Sequence, residues 1–219
     1  MSKPLTKAQL RKQKIKEETA LANEKIKKVK DADENPNNIS DLPMFHHFTK
    51  NDIIADMKYF VHCPEEYQDW VFDLTKRNMQ ELYEKTWGWN DNKKRHELFD
   101  DLARYLILIN ADKKPIGFAH IRFEFVRGQT RIYIYEFQVE PEYQGKGVGR
   151  FIMNTTEFIA LKRGLEAVTL TVFKINEGAY AFYTKMHYIP SETSPSVVDP
   201  GHPDAYDYEI LTKSLVKKK

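Results

Sequence analysis

The run Gln144-Gly145-Lys146-Gly147-Val148-Gly149 follows a strand-like segment and precedes an amphipathic one. Glycines let a backbone approach a ligand closely. Successive amide N–H groups at a helix start make an anion cradle, helped by the helix dipole. The chemistry such a run can do is phosphate or pyrophosphate binding. It is not the dinucleotide fingerprint, which needs a third glycine where Arg150 stands, and no Gly-Lys-Ser/Thr follows to make a P-loop. An ordinary glycine turn is the competing reading. Cys63, the one cysteine, reads as a small, partly buried side chain rather than a nucleophile. His46 and His47 are adjacent on an apparent loop, and no His/Cys cluster suggests a metal.

The segments that must position this loop follow from periodicity. A strand over 132–140 leads into it, and a helix over 148–163 leaves it, with Val148, Phe151, Ile152, Thr155 and Ile159 on one face. Before them come strands at 51–61, 105–109 and 115–126, with a hairpin turn at 127–129. Trp70, Val71, Leu74, Met79 and Leu82 make a helical stripe starting near Pro64, and a second helix is expected over 91–104. After the loop come a buried strand at 168–173, a helix at 176–186 and a last strand at 206–211.

The chain has 219 residues, which suits one domain plus an arm. Residues 1–30 carry ten Lys/Arg against three Glu, so the rest of the chain is net acidic although the whole is +2. Residues 1–43 read as a basic helical arm and linker, 44–215 as the domain, and 216–219 as a basic tail. Leu10, Ile15, Leu21, Ile26 and Val29 give the arm a thin apolar stripe, and 31–43 is rich in turn formers. An acidic body suits a basic partner. Nucleic acid fits it poorly and is expected at most at the arm. A lone cysteine excludes an internal disulfide framework, and no apolar run is long enough to span a membrane. Nucleus and cytoplasm are the expected compartments.

The glycine run fits the pyrophosphate-binding signature of the GCN5-related N-acetyltransferase superfamily. Further segments are more specific: Asp73 to Met79 (DLTKRNM), Trp87-Gly88-Trp89, Phe123 with the acid after it, Tyr133-Ile134-Tyr135-Glu136, Leu170 to Lys174 (LTVFK), Ser194-Pro195-Ser196 and Tyr208 to Leu211 (YEIL). In this order, over roughly residues 40 to 212, the chain resembles the N-alpha-acetyltransferase D family, which acetylates histone N-termini. The resemblance implies an α/β (α+β) fold with a central mixed, mostly antiparallel sheet flanked by helices. It also implies acetyl-CoA as cosubstrate, histone tails beginning Ser-Gly-Arg-Gly as acceptor, and a monomer. Acetylation of lysine side chains or small amines, or an inactive CoA-binding histone-tail reader, are the alternatives.

Amide formation needs a neutral amine, and an α-amino group has a pKa of about 8. A carboxylate can remove its proton. By resemblance the catalytic acids are Glu136, the first choice, and Glu124, which could instead hold the substrate arginine or amino terminus. Phe137, Gln138 and Val139 would offer backbone groups to pantetheine. Gln144, Gly145, Lys146, Gly147, Val148 and Gly149 would hold the pyrophosphate. Asn176 would contact the cofactor arm, and Tyr183 stands where many acetyltransferases protonate the CoA thiolate. Tyr83, Trp87, Glu124, Tyr133, Tyr135, Thr171, Ser194 and Tyr208 would form the substrate site. Strict alternation sends Tyr135 and Glu136 to opposite faces of a sheet. Both can serve one site only if the strand is distorted, and a β-bulge near 136–138 is therefore expected.

Overall fold

A computed structural model describes residues 6–216. The tip of the arm (1–5) and most of the basic tail (217–219) lie outside the described residues. One eight-stranded sheet organises the chain, in the order β1-β2-β3-β4-β5-β6-β8-β7. The strands are β1 (His47–Lys50), β2 (Ile53–Phe60), β3 (Arg104–Asn110), β4 (Pro115–Val126), β5 (Gln129–Val139), β6 (Ala167–Phe173), β7 (Ile189–Pro190) and β8 (Tyr208–Ser214). Every pairing is antiparallel except β5 with β6. Among the described residues six α-helices accompany it: α1 (Lys7–Asp33), α2 (Glu65–Glu84), α3 (Asp91–Leu98), α4 (Val148–Lys162), α5 (Glu177–Lys185) and α6 (Pro195–Val198). The expected mixed, mostly antiparallel sheet with flanking helices is the observed fold.

Two cores sandwich the sheet. On one face Val71, Phe72 and Leu74 of α2 and Leu98 of α3 pack on Tyr105, Ile107 and Phe118. On the other, Val148, Ile152 and Ile159 of α4 pack on Ala119, Ile121, Ile132 and Ile134. The alternation along β4 and β5 divides their residues between the two.

Three expectations need correction. The second helix stops at Leu98 instead of running to Arg104. Asp100 accepts from the Leu102 amide at 2.9 Å, and its carbonyl accepts from Ala103 at 2.9 Å, so a turn former defeats the helical continuation. Arg104 then opens β3, its buried guanidinium paired with Asp33 at 2.9 Å. Second, His47 lies on β1 rather than a loop, its ring 2.7 Å from Asp56. Third, 31–43 is packed rather than a loose linker. α1 runs on to Asp33, and Ala32, Ile39 and Leu42 enter the core. Asn38, fully buried, donates to the Ala32 carbonyl (2.8 Å) and the Tyr59 hydroxyl (2.9 Å) and accepts from Arg163 (2.8 Å).

The earlier part of α1 is exposed, and Leu10, Ile15, Leu21 and Ile26 stay about half open. Its anchor to the sheet includes Lys25, which reaches the Gly128 carbonyl and the Glu166 carboxylate, each at 2.7 Å.

Asn38→Ala would orphan three partners. We expect a loss of about 1–3 kcal/mol, read as a lower urea midpoint with unchanged m-value. No shift would mean the 31–43 segment contributes nothing to the folded domain.

Candidate active site

β5 and β6 pair in parallel only from Arg131/Ala167 to Ile134/Leu170. Beyond that point they part, while β5 stays bonded to β4 through Val139. The backbone of 135–138 therefore has no strand partner on the side of the gap, and a cleft of about 1190 Å³ opens there. It is lined by Tyr133, Tyr135, Glu136, Phe137, Gln138 and Val139 of β5, Thr171 and Phe173 of β6, the glycine loop, and parts of α2 and α5.

The register between β4 and β5 shifts at the same place. Ile121 pairs with Ile134 and His120 with Glu136, leaving Tyr135 as an extra residue. This is the expected bulge, one residue earlier than the 136–138 position anticipated. It puts side chains of neighbouring residues on one face. Tyr135 stacks on His120 with ring centroids 5.3 Å apart, and Glu136 is the cross-strand partner of that same histidine.

Glu136 is only 6% exposed. It accepts from the Gln138 amide at 2.7 Å and the Lys94 ammonium at 3.3 Å. Burial pushes its carboxyl above the ordinary carboxylate range, against the pull of Lys94 and Gln138. For Lys94, burial works against the charge, but Glu136 and Glu97 overrule it and hold the proton. A carboxylate of raised pKa in a cleft is suited to accepting a proton near neutral pH. His120, fully buried beside it, is pushed down to about 3 by burial, Arg122 and Lys94, so it stays neutral.

An aromatic wall flanks this carboxylate. Trp87 meets Phe173 at 4.8 Å, Tyr208 at 5.2 Å and Tyr83 at 6.3 Å, all edge-on. Tyr133 and Tyr135 lie 5.1 Å apart, and the Tyr133 hydroxyl bonds Thr171. Tyr208 stands behind Trp87 instead of lining the cleft.

At the other end the cradle has the right shape for a pyrophosphate. Gly145 and Gly147 have φ of +70° and +98°, and Gly147 heads α4 without a side-chain cap. Its first amides are thus left for a ligand. A Cβ on Gly149 would come within 3.3 Å of Phe137. The Gln144 amide braces the turn by donating to the Val139 carbonyl at 3.0 Å. Asn176 caps α5 by accepting from Ala179 at 3.2 Å and lines the cleft. Tyr183 also lines it, with burial keeping its phenol protonated. The residues present fit the acetyl-CoA expected from sequence.

Several predicted residues take other roles. Glu124 does not line the cleft; Arg131 holds one of its oxygens at 2.7 and 2.9 Å, and the Tyr135 hydroxyl donates to the other at 3.2 Å. With a guanidinium already in place, it braces the Tyr135 hydroxyl beside the cleft. Ser194 is fully buried and does not line the cleft; it donates to Glu209 and accepts from the Ile210 amide at 2.8 Å, so it fastens α6 to β8. The Val148 side chain is core, and Lys146 contributes its carbonyl to Asn51 at 3.0 Å. Neither side chain lines the cleft. Sequence reasoning missed Lys94, Glu97 and His120. Lys94 sits in a highly charged helix with no apolar period, which offers no signal of burial. Burial pushes the Cys63 thiol up to about 12, which leaves it a poor nucleophile. Among the described residues no group of His, Cys, Asp and Glu could hold a metal.

Comparison with known proteins bears on this cleft. The Acetyltransferase (GNAT) family model matches residues 71–188, from α2 through α5. Streptothricin acetyltransferase of Streptomyces lavendulae is 29% identical over 99 residues, 45% of this chain. The chain spans about half of that relative's length, 51%. The ribosomal-protein-S18-alanine N-acetyltransferase structure from Escherichia coli aligns at a TM-score of 0.53 and 16% identity, covering 75% of this chain and 96% of that one. The NatC complex bound to Gag peptide and CoA aligns at 0.54 and 18%, covering 74% and 99%. At these identities the structural likeness speaks for the fold alone.

Two substitutions separate cradle from scaffold. Gly147→Val faces a left-handed backbone costing about 1–2 kcal/mol and the Lys50 side chain at 3.2 Å; we expect weakened coenzyme A binding by calorimetry. Ser194→Ala should lower the melting temperature and leave the acceptor KM unchanged; a raised acceptor KM would return Ser194 to the substrate site.

Proposed function

The chain belongs to the GNAT acetyltransferase family, and on that premise we propose that it acetylates the free α-amino group of a peptide, with histone tails beginning Ser-Gly-Arg-Gly as acceptor. Acetyl-CoA, the cosubstrate of GNAT enzymes, supplies the acetyl group as a thioester. The observation that carries the proposal is the single face shared by Tyr133, Tyr135 and the buried Glu136, at the point where β5 leaves β6.

Glu136 takes the proton from the bound ammonium, and the freed lone pair attacks the thioester carbonyl. As the C–S bond breaks, the nitrogen releases its second proton to solvent, and the Tyr183 phenol, protonated and facing the cleft, can donate a proton to the departing sulfur and regain one from solvent. The edge of 135–138 without a strand partner offers amides and carbonyls to the pantetheine arm. Transfer is direct, because Cys63 is buried on the α2 side of the sheet, away from the cleft. Trp87, Tyr83 and Phe173 form a wall against which a glycine-containing tail can lie close. The acidic remainder of the chain suits a basic tail. We propose nuclear and cytoplasmic action on such tails. Among the described residues no helix is long and apolar enough to cross a membrane.

A small-amine acceptor is the second reading, favoured by the likeness to streptothricin acetyltransferase. CoA release with a Ser-Gly-Arg-Gly peptide, its blocked form, a Met-Leu peptide and streptothricin discriminates these. Turnover only with the free Ser-Gly-Arg-Gly terminus supports the proposal. Equal turnover of the blocked peptide points to lysine, and turnover of streptothricin alone to the small amine. CoA binding without turnover points to an inactive reader. Glu136→Gln should cut kcat by about 10²–10⁴ while coenzyme A binding is kept; an unchanged kcat would move the base elsewhere.

A further inference from the structure

Lys94 belongs to neither the glycine loop nor the aromatic wall, yet it joins the two sides of the cleft. Its side chain is 5% exposed. Its ammonium reaches the Tyr83 hydroxyl at 2.8 Å, Glu97 at 2.7 Å and Glu136 at 3.3 Å. An ammonium has three donors, so each has one acceptor. The same nitrogen lies 4.4 Å from the centre of the Tyr83 ring. Tyr83 in turn meets Phe173 at 5.0 Å and Trp89 at 5.5 Å.

We propose that Lys94 is a positioning residue for acetyl transfer: it aims the Glu136 carboxylate into the cleft and locks Tyr83 into the acceptor wall, with Glu97 as its counterion toward solvent. This rests on the reading of Glu136 as the proton acceptor. A buried ion pair is no stability device by itself, since apolar replacements of similar volume are often as stable. A reason for a buried lysine here is the geometry it imposes. An ionised carboxylate has about four acceptor positions. Lys94 and Gln138 occupy one on each oxygen of Glu136, which orients the group and leaves the others for the amine. Glu97 lines both the cleft and an adjoining cavity of about 410 Å³. Its side chain, 39% exposed, connects the buried pair to water.

The charged and titratable groups facing Glu136 are Lys94 and Glu97 from α3, Tyr83 from α2, Tyr183 from α5, Tyr105 from β3, and His120 from β4 with Arg122 beside it. The tyrosines and His120 are neutral near neutral pH. Lys94 and Glu97 therefore push the proton affinity of Glu136 in opposite directions. Lys94 lowers it, and Glu97 raises it.

The test is a carbon-13 NMR titration of the Glu136 carboxyl in the full chain with coenzyme A bound, beside kinetics with the Ser-Gly-Arg-Gly peptide. Lys94→Met should move the Glu136 midpoint up and shift the acid limb of kcat/KM to higher pH. It should lower kcat about 10- to 100-fold, with the acetyl-CoA KM held. Lys94→Arg should recover part of the loss. Glu97→Gln should move the midpoint down. An unmoved midpoint and unchanged kcat in Lys94→Met would overturn the assignment. If Lys94→Met does not fold, Glu97→Gln decides: a downward shift supports the proposal, and no shift overturns it. Absence of turnover in the unmodified protein would sink the acetyl-transfer reading, while the titration still judges Lys94.

Discussion

The separation of β5 from β6 beyond Ile134 and Leu170 is the constraint from which the site follows. A parallel pair that continued would satisfy its own backbone groups and close the sheet. Parting leaves a row of donors and acceptors on β5 that are expensive to bury unpaired. Such an edge is stable only as the wall of a solvent-filled or ligand-filled cleft. The helix that follows β5 delivers its N-terminal amides to the same opening. The cofactor cradle and the strand edge are thus two consequences of one divergence.

The bulge at Tyr135 brings polar side chains to that opening. One extra residue against β4 brings Tyr133, Tyr135 and Glu136 to the α2/α3 side, while Phe137 returns to the α4 side. The cost is a carboxylate in a dry place. Lys94 and Gln138 offset part of it, and the remainder is expressed as raised proton affinity. Burial and charge are coupled here: the burial that raises the proton affinity of Glu136 is opposed by a cation on a neighbouring helix. Glu124, further up the hairpin, meets Arg131 at a more open position.

Much of the framework was legible because it rests on local rules. β4 matches its expected span, and α4 starts at Val148 with its apolar face as the period indicated. The bulge itself was deducible, since alternation cannot serve two adjacent side chains at one site. Less was legible where a few side-chain bonds outweigh composition. The 31–43 stretch is polar and turn-rich, yet Asn38 and three apolar residues make it part of the core. Helix α3 ended early because Asp100 captured the next turn. Ser194 belonged to a motif read as substrate-facing, but its hydroxyl serves Glu209 and the backbone of β8.

Sequence by itself determined most of the order of elements and the glycine cradle, while the family resemblance singled out Glu136. The first two depend on residue type at short spacing: φ freedom at Gly147 and periodicity along α4. Tertiary structure alone decided which carboxylate faces the cleft and which cation accompanies it. Glu124 and Glu136 are the same residue type on one hairpin. One is paired with Arg131 across the hairpin, and the other is buried against Lys94, 42 residues away in sequence. Proton affinity is set by desolvation and by charges within a few ångströms, and those neighbours come from different strands and helices that only the folded sheet brings together.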